Sequence, residues 1–160
     1  MTLLRLAATA ALAALLVPAA ASSSAQEMRP YKATCTAIPE DPLSPVVRAT
    51  GSCQATHFGR DTFVAEHAVV PTGPPDASGL LPVAVLGGRS THVAANGDEL
   101  HSAYSGTGTV DLATGRIEFE LEGHYTGGTG RFEGASGATR LVGVVEDGVA
   151  RYREEGSITF

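Results

Sequence analysis

The chain has no cluster of basic residues: 11 Lys+Arg stand against 17 Asp+Glu over 160 residues. A phosphate backbone is held through counterion release from Lys and Arg, so this balance argues against nucleic acid and against anionic membrane as partners. Long hydrophobic runs are also lacking. The longest, Leu6 to Val17, is well short of the roughly 20 residues that cross a bilayer. The two cysteines, Cys35 and Cys53, form no C-x-x-C pair, which weakens a metal or redox-motif reading. Glycine is abundant, yet no Gly-Lys-Ser/Thr follows any glycine run, so a phosphate-cradling loop is missing. Gly51-Ser52-Cys53 lacks the second glycine of a nucleophile elbow. No metal-ligand spacing occurs among the histidines, and nothing in the chain calls for a cofactor or a metal.

What is present begins with an export signal. Arg5 precedes the Ala/Leu run, which ends at Pro18, and the small residues Ala19 to Ala25 follow. That order is a secretory signal peptide over residues 1–25, with cleavage after Ala21 or after Ala25 equally well supported. A retained membrane anchor is the alternative, disfavoured by the short run and the sparse flanking charge. Cleavage after Ala25 leaves one domain over residues 26–160 and removes one arginine, so the formal charge moves from −6 to −7. The protein is expected to be exported, secreted or periplasmic, with no stable membrane insertion after cleavage. Cys35 and Cys53 then enter an oxidising compartment. A hairpin folding within Pro39 to Pro45 would bring them together as a disulfide.

Period-two alternation recurs through the rest of the chain while a helical period does not. Strands are expected over Tyr31–Ile38, Val46–Phe58, Thr62–Val70, Leu80–Ala94, Glu99–Val110, Arg116–Tyr125, Ala138–Glu146 and Val149–Phe160. Gly59-Arg60-Asp61 reads as a tight connection, Asn96-Gly97 as a type I′ hairpin turn, and Gly87-Gly88 as a bulge or bend. The predicted fold is all-β, a single eight-stranded antiparallel up-and-down barrel, because closure removes the exposed edges of an open sheet. A two-sheet sandwich is the alternative.

Gly127-Gly128-Thr129-Gly130-Arg131-Phe132, followed by Gly134 and Gly137, reads as a structural corner in which Phe132 plugs one barrel end and Arg131 or Glu133 tethers the turn. On the faces expected to point inward, Phe63, Tyr104, Phe119, Tyr125 and Tyr152 are candidate ligand-binding residues. Glu154 shares the face of Tyr152, and a carboxylate in an apolar lumen would have a raised pKa. It and His67 are the candidates for a lumen acid or base. His57 falls on a small-residue face and admits the same reading, or that of a buried histidine bonded to backbone. His92, His101 and His124 are expected on a solvated surface.

The run Gly127 to Phe132 with Ala135-Ser136-Gly137 resembles a glycine-rich feature of the allene oxide cyclase-like and dirigent-like barrel superfamily. Ala55 to Gly59 and Ala94 to Leu100 look like small secreted bacterial proteins of the same type, whose activity is generally unassigned. The resemblance implies an eight-stranded barrel whose apolar lumen can hold a small hydrophobic molecule. In plant members that lumen steers cyclisation of a reactive intermediate or coupling of phenolic radicals, and related barrels often associate through their outer walls into homo-oligomers. It carries no catalytic residue onto this chain, since fold does not set function. The leading expectation is an exported barrel binding a small hydrophobic or aromatic ligand. A cofactor-independent cyclase or isomerase, with a cavity of a few hundred Å³, and a structural or interaction protein of the envelope are the alternatives.

Overall fold

Alternating sequence becomes alternating burial in the computed structural model, which describes residues 27–42 and 44–160. The signal peptide read over residues 1–25 lies outside the described residues. Eight antiparallel strands follow one another: β1 (Arg29–Pro39), β2 (Val46–Ala55), β3 (Gly59–Pro71), β4 (Leu80–Ala94), β5 (Glu99–Asp111), β6 (Ile117–Gly128), β7 (Gly137–Glu146) and β8 (Val149–Ile158). Each pairs with the next, and β8 pairs back onto β1 from Arg29↔Ile158 to Ala37↔Ala150. The sheet is therefore a closed up-and-down barrel rather than a sandwich, with no long edge left unpaired.

In β1 the side chains of Tyr31, Ala33, Cys35 and Ala37 are buried while the residues between them are exposed. Ile117, Leu121, Gly123 and Tyr125 repeat the pattern in β6, with Phe119 half-buried among them. Cys35 and Cys53 stand directly opposite each other in the β1–β2 ladder and form the expected disulfide. Closing a loop with a sequence separation of 18 stabilises the fold by about 3 kcal/mol in the chain-entropy model.

A bulge in β4 sets the lumen's composition. Val85 pairs with Gly106 of β5, but Gly88 pairs with Tyr104, so β4 carries one extra residue at Gly87, which has φ 62°. An extra residue exchanges the two faces of a strand. Before it Val83 and Val85 face inward; after it Gly88, Ser90, His92 and Ala94 do. His92 is therefore buried in the lumen, not on the solvated surface where its scattered spacing had placed it.

Two turns differ from expectation. β2 ends at Ala55, and the β2–β3 turn is Thr56–Phe58, not Gly59-Arg60-Asp61. His57 occupies the turn at φ 63°, exposed, with Nε2 3.0 Å from the Pro30 carbonyl oxygen, so it takes no part in the lumen. Asp61 consequently lies inside β3 and points inward. At Asn96-Gly97 only Gly97 has positive φ, 87°, and its N–H donates to Ala94 O at 2.9 Å. That is a longer turn with a glycine bulge, whereas Asp147-Gly148, with φ 52° and 73°, is the true type I′ pair.

One end of the barrel is sealed by aromatic rings. Beyond β6 the chain makes a short 3-10 turn, Gly130–Phe132, that drops Phe132 into the barrel mouth with no exposed surface. Its ring stacks on Phe58 at 4.6 Å between centroids and meets Phe160 at 5.2 Å. Burying a phenylalanine is worth about 1.5–3 kcal/mol. Of the two candidate tethers, Arg131 does the work: its backbone N–H donates to Asp98 Oδ2 at 3.3 Å, and its guanidinium lies over the Phe132 ring. Glu133 is exposed. The opposite end carries the connections 72–79, 112–116 and 147–148, and there the lumen is open, with Pro39 and Pro42 lining it.

Candidate functional site

Between the aromatic plug and the open end lies a cavity of about 120 Å³. Its upper wall is apolar because small and branched residues fill the inward positions there: Ala37, Val47, Val69, Val83, Val110 and Val145. Other inward positions are polar. Glu154 and His67 both line the cavity, as do Phe63, Tyr104, Phe119 and Tyr152. Tyr125 stands behind Glu154 and does not line it.

Glu154 sits on β8 opposite Ala33 of β1 and Leu141 of β7, and only 5% of its surface is exposed. The Tyr125 hydroxyl donates to its Oε1 at 3.1 Å, and Thr139 supplies a further hydrogen bond. Burial raises its pKa above the usual carboxylate range; the Thr139 bond, the nearby His92 and the Tyr125 bond only partly oppose that rise. Burial likewise pushes up the phenols of Tyr31, Tyr104, Tyr125 and Tyr152, which remain hydrogen-bond donors. Tyr31 meets Tyr125 edge-on at 5.4 Å, which fixes the donor behind Glu154.

His67 is half-buried on β3, with Nδ1 3.0 Å from the Tyr104 hydroxyl. Burial lowers its pKa, which favours the neutral ring. Ser90 and Ser102 pair across β4 and β5 at 2.7 Å between hydroxyl oxygens.

Two buried residues escaped the alternation count. Asp61, 2% exposed, accepts the Cys53 backbone N–H at Oδ1, 3.2 Å away. His92, 6% exposed, places Nδ1 3.4 Å from the same oxygen and stacks on Phe63 at 4.9 Å. Cys53 Sγ, the Asp61 carboxylate and His92 lie within 4.8 Å of one another. The sulfur is committed to the disulfide and has no thiolate to offer, so only two donors remain for a cation. The other histidines lie apart: His101 bonds Glu99 at 3.0 Å, and His124 is exposed on β6.

Chemically the arrangement can hold a small apolar guest against a neutral carboxylic acid, a neutral imidazole and several phenols. At about 120 Å³ the cavity is smaller than the few hundred Å³ usual for ligand sites. It is close to an engineered apolar cavity of about 150 Å³ that takes up benzene. Compared with models of protein families, with curated proteins and with solved structures, the chain matches none. What fold and site define is a class: a closed eight-stranded antiparallel barrel, sealed at one end, whose apolar lumen terminates on buried ionisable side chains.

Proposed function

We propose that this chain is an exported barrel of the allene oxide cyclase-like and dirigent-like type that holds a small, single-ring molecule with one polar group in its lumen. The observation that carries this reading is the apolar cavity of about 120 Å³ lined also by Glu154 and the His67–Tyr104 pair. Apolar walls favour a guest's ring through desolvation, and a few convergent polar groups orient its one heteroatom. The Cys35–Cys53 disulfide supports an oxidising compartment, in keeping with the signal peptide read at residues 1–25. The glycine corner supports the superfamily, since it builds the plug that leaves the lumen open at one end only.

Native mass spectrometry of protein purified from its host's culture fluid tests the reading. A co-purifying mass of one substituted ring, or saturable uptake of phenol or benzene by the purified chain, is the expected result. A lumen that takes up none of these is a packed barrel, and the envelope-protein alternative then stands.

A second reading, a cofactor-independent cyclase or isomerase, is favoured by one specific feature. Glu154, His67, Tyr104 and Tyr152 all line the same cavity, so a reactive guest would meet acid and donor groups from several sides. The volume restricts such chemistry to small rings.

A further inference from the structure

The floor of the cavity brings together two groups that sequence spacing keeps apart. β4 and β8 lie on opposite sides of the closed ring of strands, so His92 and Glu154 face each other across the lumen. Both line the cavity and both are buried.

The hydrogen-bond partners assign their protons. Asp61 Oδ1 can only accept, and it already takes the Cys53 N–H; His92 therefore donates to it through Nδ1–H. In the neutral ring the lone pair is then on Nε2. Phe63, stacked flat against the imidazole, holds the ring in place. His67 is placed differently: its Nδ1 lies 3.0 Å from the Tyr104 hydroxyl, and among the described residues it has no carboxylate partner to stabilise an imidazolium. Of the two histidines lining the lumen, His92 has that partner and is the base. On the facing wall, Glu154 Oε1 accepts from Tyr125, and the carboxyl group, with Thr139 beside it, lines the cavity.

We infer that the lumen is a proton-transfer site for a small cyclic ketone, with His92 as base, Glu154 as acid and Asp61 as the residue that positions His92. The inference rests on the lumen-binding reading above and names the guest's class. His92 Nε2 takes a proton from the carbon next to the carbonyl, and that C–H electron pair becomes a C=C bond. The carbonyl oxygen takes the Glu154 proton, giving an enol between an imidazolium and a carboxylate. Return of the imidazolium proton to the same carbon exchanges hydrogen; return to the far end of a conjugated system moves a double bond. The enol proton goes back to Glu154, and no oxidant, reductant or metal enters the balance.

Cyclohexanone in D₂O is the probe, with loss of the protons flanking its carbonyl followed by ¹H NMR and its affinity measured by titration. The wild-type chain is expected to exchange these protons faster than the same concentration of imidazole does. His92→Gln and Glu154→Gln are each expected to slow exchange by about 100-fold or more, the usual contribution of general acid–base catalysis. Asp61→Asn is expected to slow it as well, because a neutral amide stabilises the imidazolium formed on His92 less than the carboxylate does, while cyclohexanone affinity is kept. A purely structural role for Asp61 would not separate rate from affinity in this way. Should Asp61→Asn fail to fold, the isosteric Glu154→Gln decides. Cyclohexanone that binds without faster exchange, or variants that retain the wild-type rate, overturns the proton-transfer site. A lumen that takes up neither cyclohexanone nor benzene overturns instead the binding reading beneath it.

Discussion

Asp61 stands directly opposite Cys53 in the β2–β3 ladder and accepts its backbone N–H at 3.2 Å. One carboxylate oxygen thus braces the strand that carries the disulfide, and the other, Oδ2, is buried with no hydrogen-bond partner among the described residues. Asp61→Ala removes a carboxylate acceptor shared by the Cys53 N–H and His92 Nδ1, at a cost of about 1–3 kcal/mol. Asp61→Asn keeps a carbonyl oxygen for Cys53 and removes an incompletely paired acid, so it is expected to cost less. Urea unfolding midpoints of the two variants check this order. A larger loss for Asn than for Ala would mean that the carboxylate's charge, and not its acceptor role, is what matters.

The corner that seals the barrel predicts a stability defect of a different origin. A Cβ at Gly128 would collide with the Glu99 carbonyl oxygen, and Gly130 at φ 56° would drive a side chain into the Asp98 carboxylate. Backbone oxygen cannot yield as a side chain can, so Gly128→Val is expected to cost more than about 2 kcal/mol. Thermal unfolding of Gly128→Val and Gly130→Val provides the measurement. Unchanged melting temperatures would undo the assignment of this stretch as the corner on which Phe132 depends.

Much of the architecture was legible because closed β-barrels alternate strictly. The inward faces of β1 and β6, the Cys35–Cys53 pairing across a proline-rich turn, and the position of Glu154 all follow from counting by two. Asp61 was hidden because Gly59-Arg60-Asp61 has turn composition, while the actual turn places a non-glycine residue, His57, at positive φ. Asp61 nevertheless shares its parity with Phe63 and His67, and that signal was there to be read. His92 was hidden by the β4 bulge. Gly87-Gly88 marked the bulge in the sequence, but an extra residue also reverses every face that follows it, and only that reversal brings Ser90 and His92 indoors. The size of the cavity was not legible, since it depends on how Phe119, Tyr104 and Tyr152 fill the lumen together.

The buried carboxyl of Glu154 gives the fold a pH dependence whose sign can be worked out. Its pKa is raised in the fold above an ordinary value of 4.5. The folded chain therefore binds this proton more tightly than the unfolded chain does. The stabilisation is complete below about pH 4.5 and is lost as pH rises through the folded value. Glu154→Gln abolishes the titration while keeping the shape. Its stability relative to wild type is expected to improve as pH rises above 4.5 and to level off above the folded value. His67 runs oppositely, since its pKa is lowered from 6.5: its contribution is present above that value and lost as pH falls through the folded one. It is common to both chains and cancels in the difference. Urea denaturation of both proteins across this range is the check, and a difference that does not change with pH would mean that Glu154 is ionised in the fold.

Ala65 offers the most direct control over the lumen itself. It lies on the inward face of β3 between Phe63 and His67 and lines the cavity. Ala65→Leu extends three carbons into a space of about 120 Å³, where each buried methylene is worth about 0.8 kcal/mol if it fits without strain. Stability is therefore expected to hold or rise by up to about 2 kcal/mol, while uptake of benzene or phenol falls more than about tenfold because the guest and the new side chain claim the same volume. Urea unfolding and ligand titration by NMR on one preparation read both effects. Wild-type affinity in a stable Ala65→Leu chain would locate the guest outside the lumen and sever the link between the cavity and any function assigned to it.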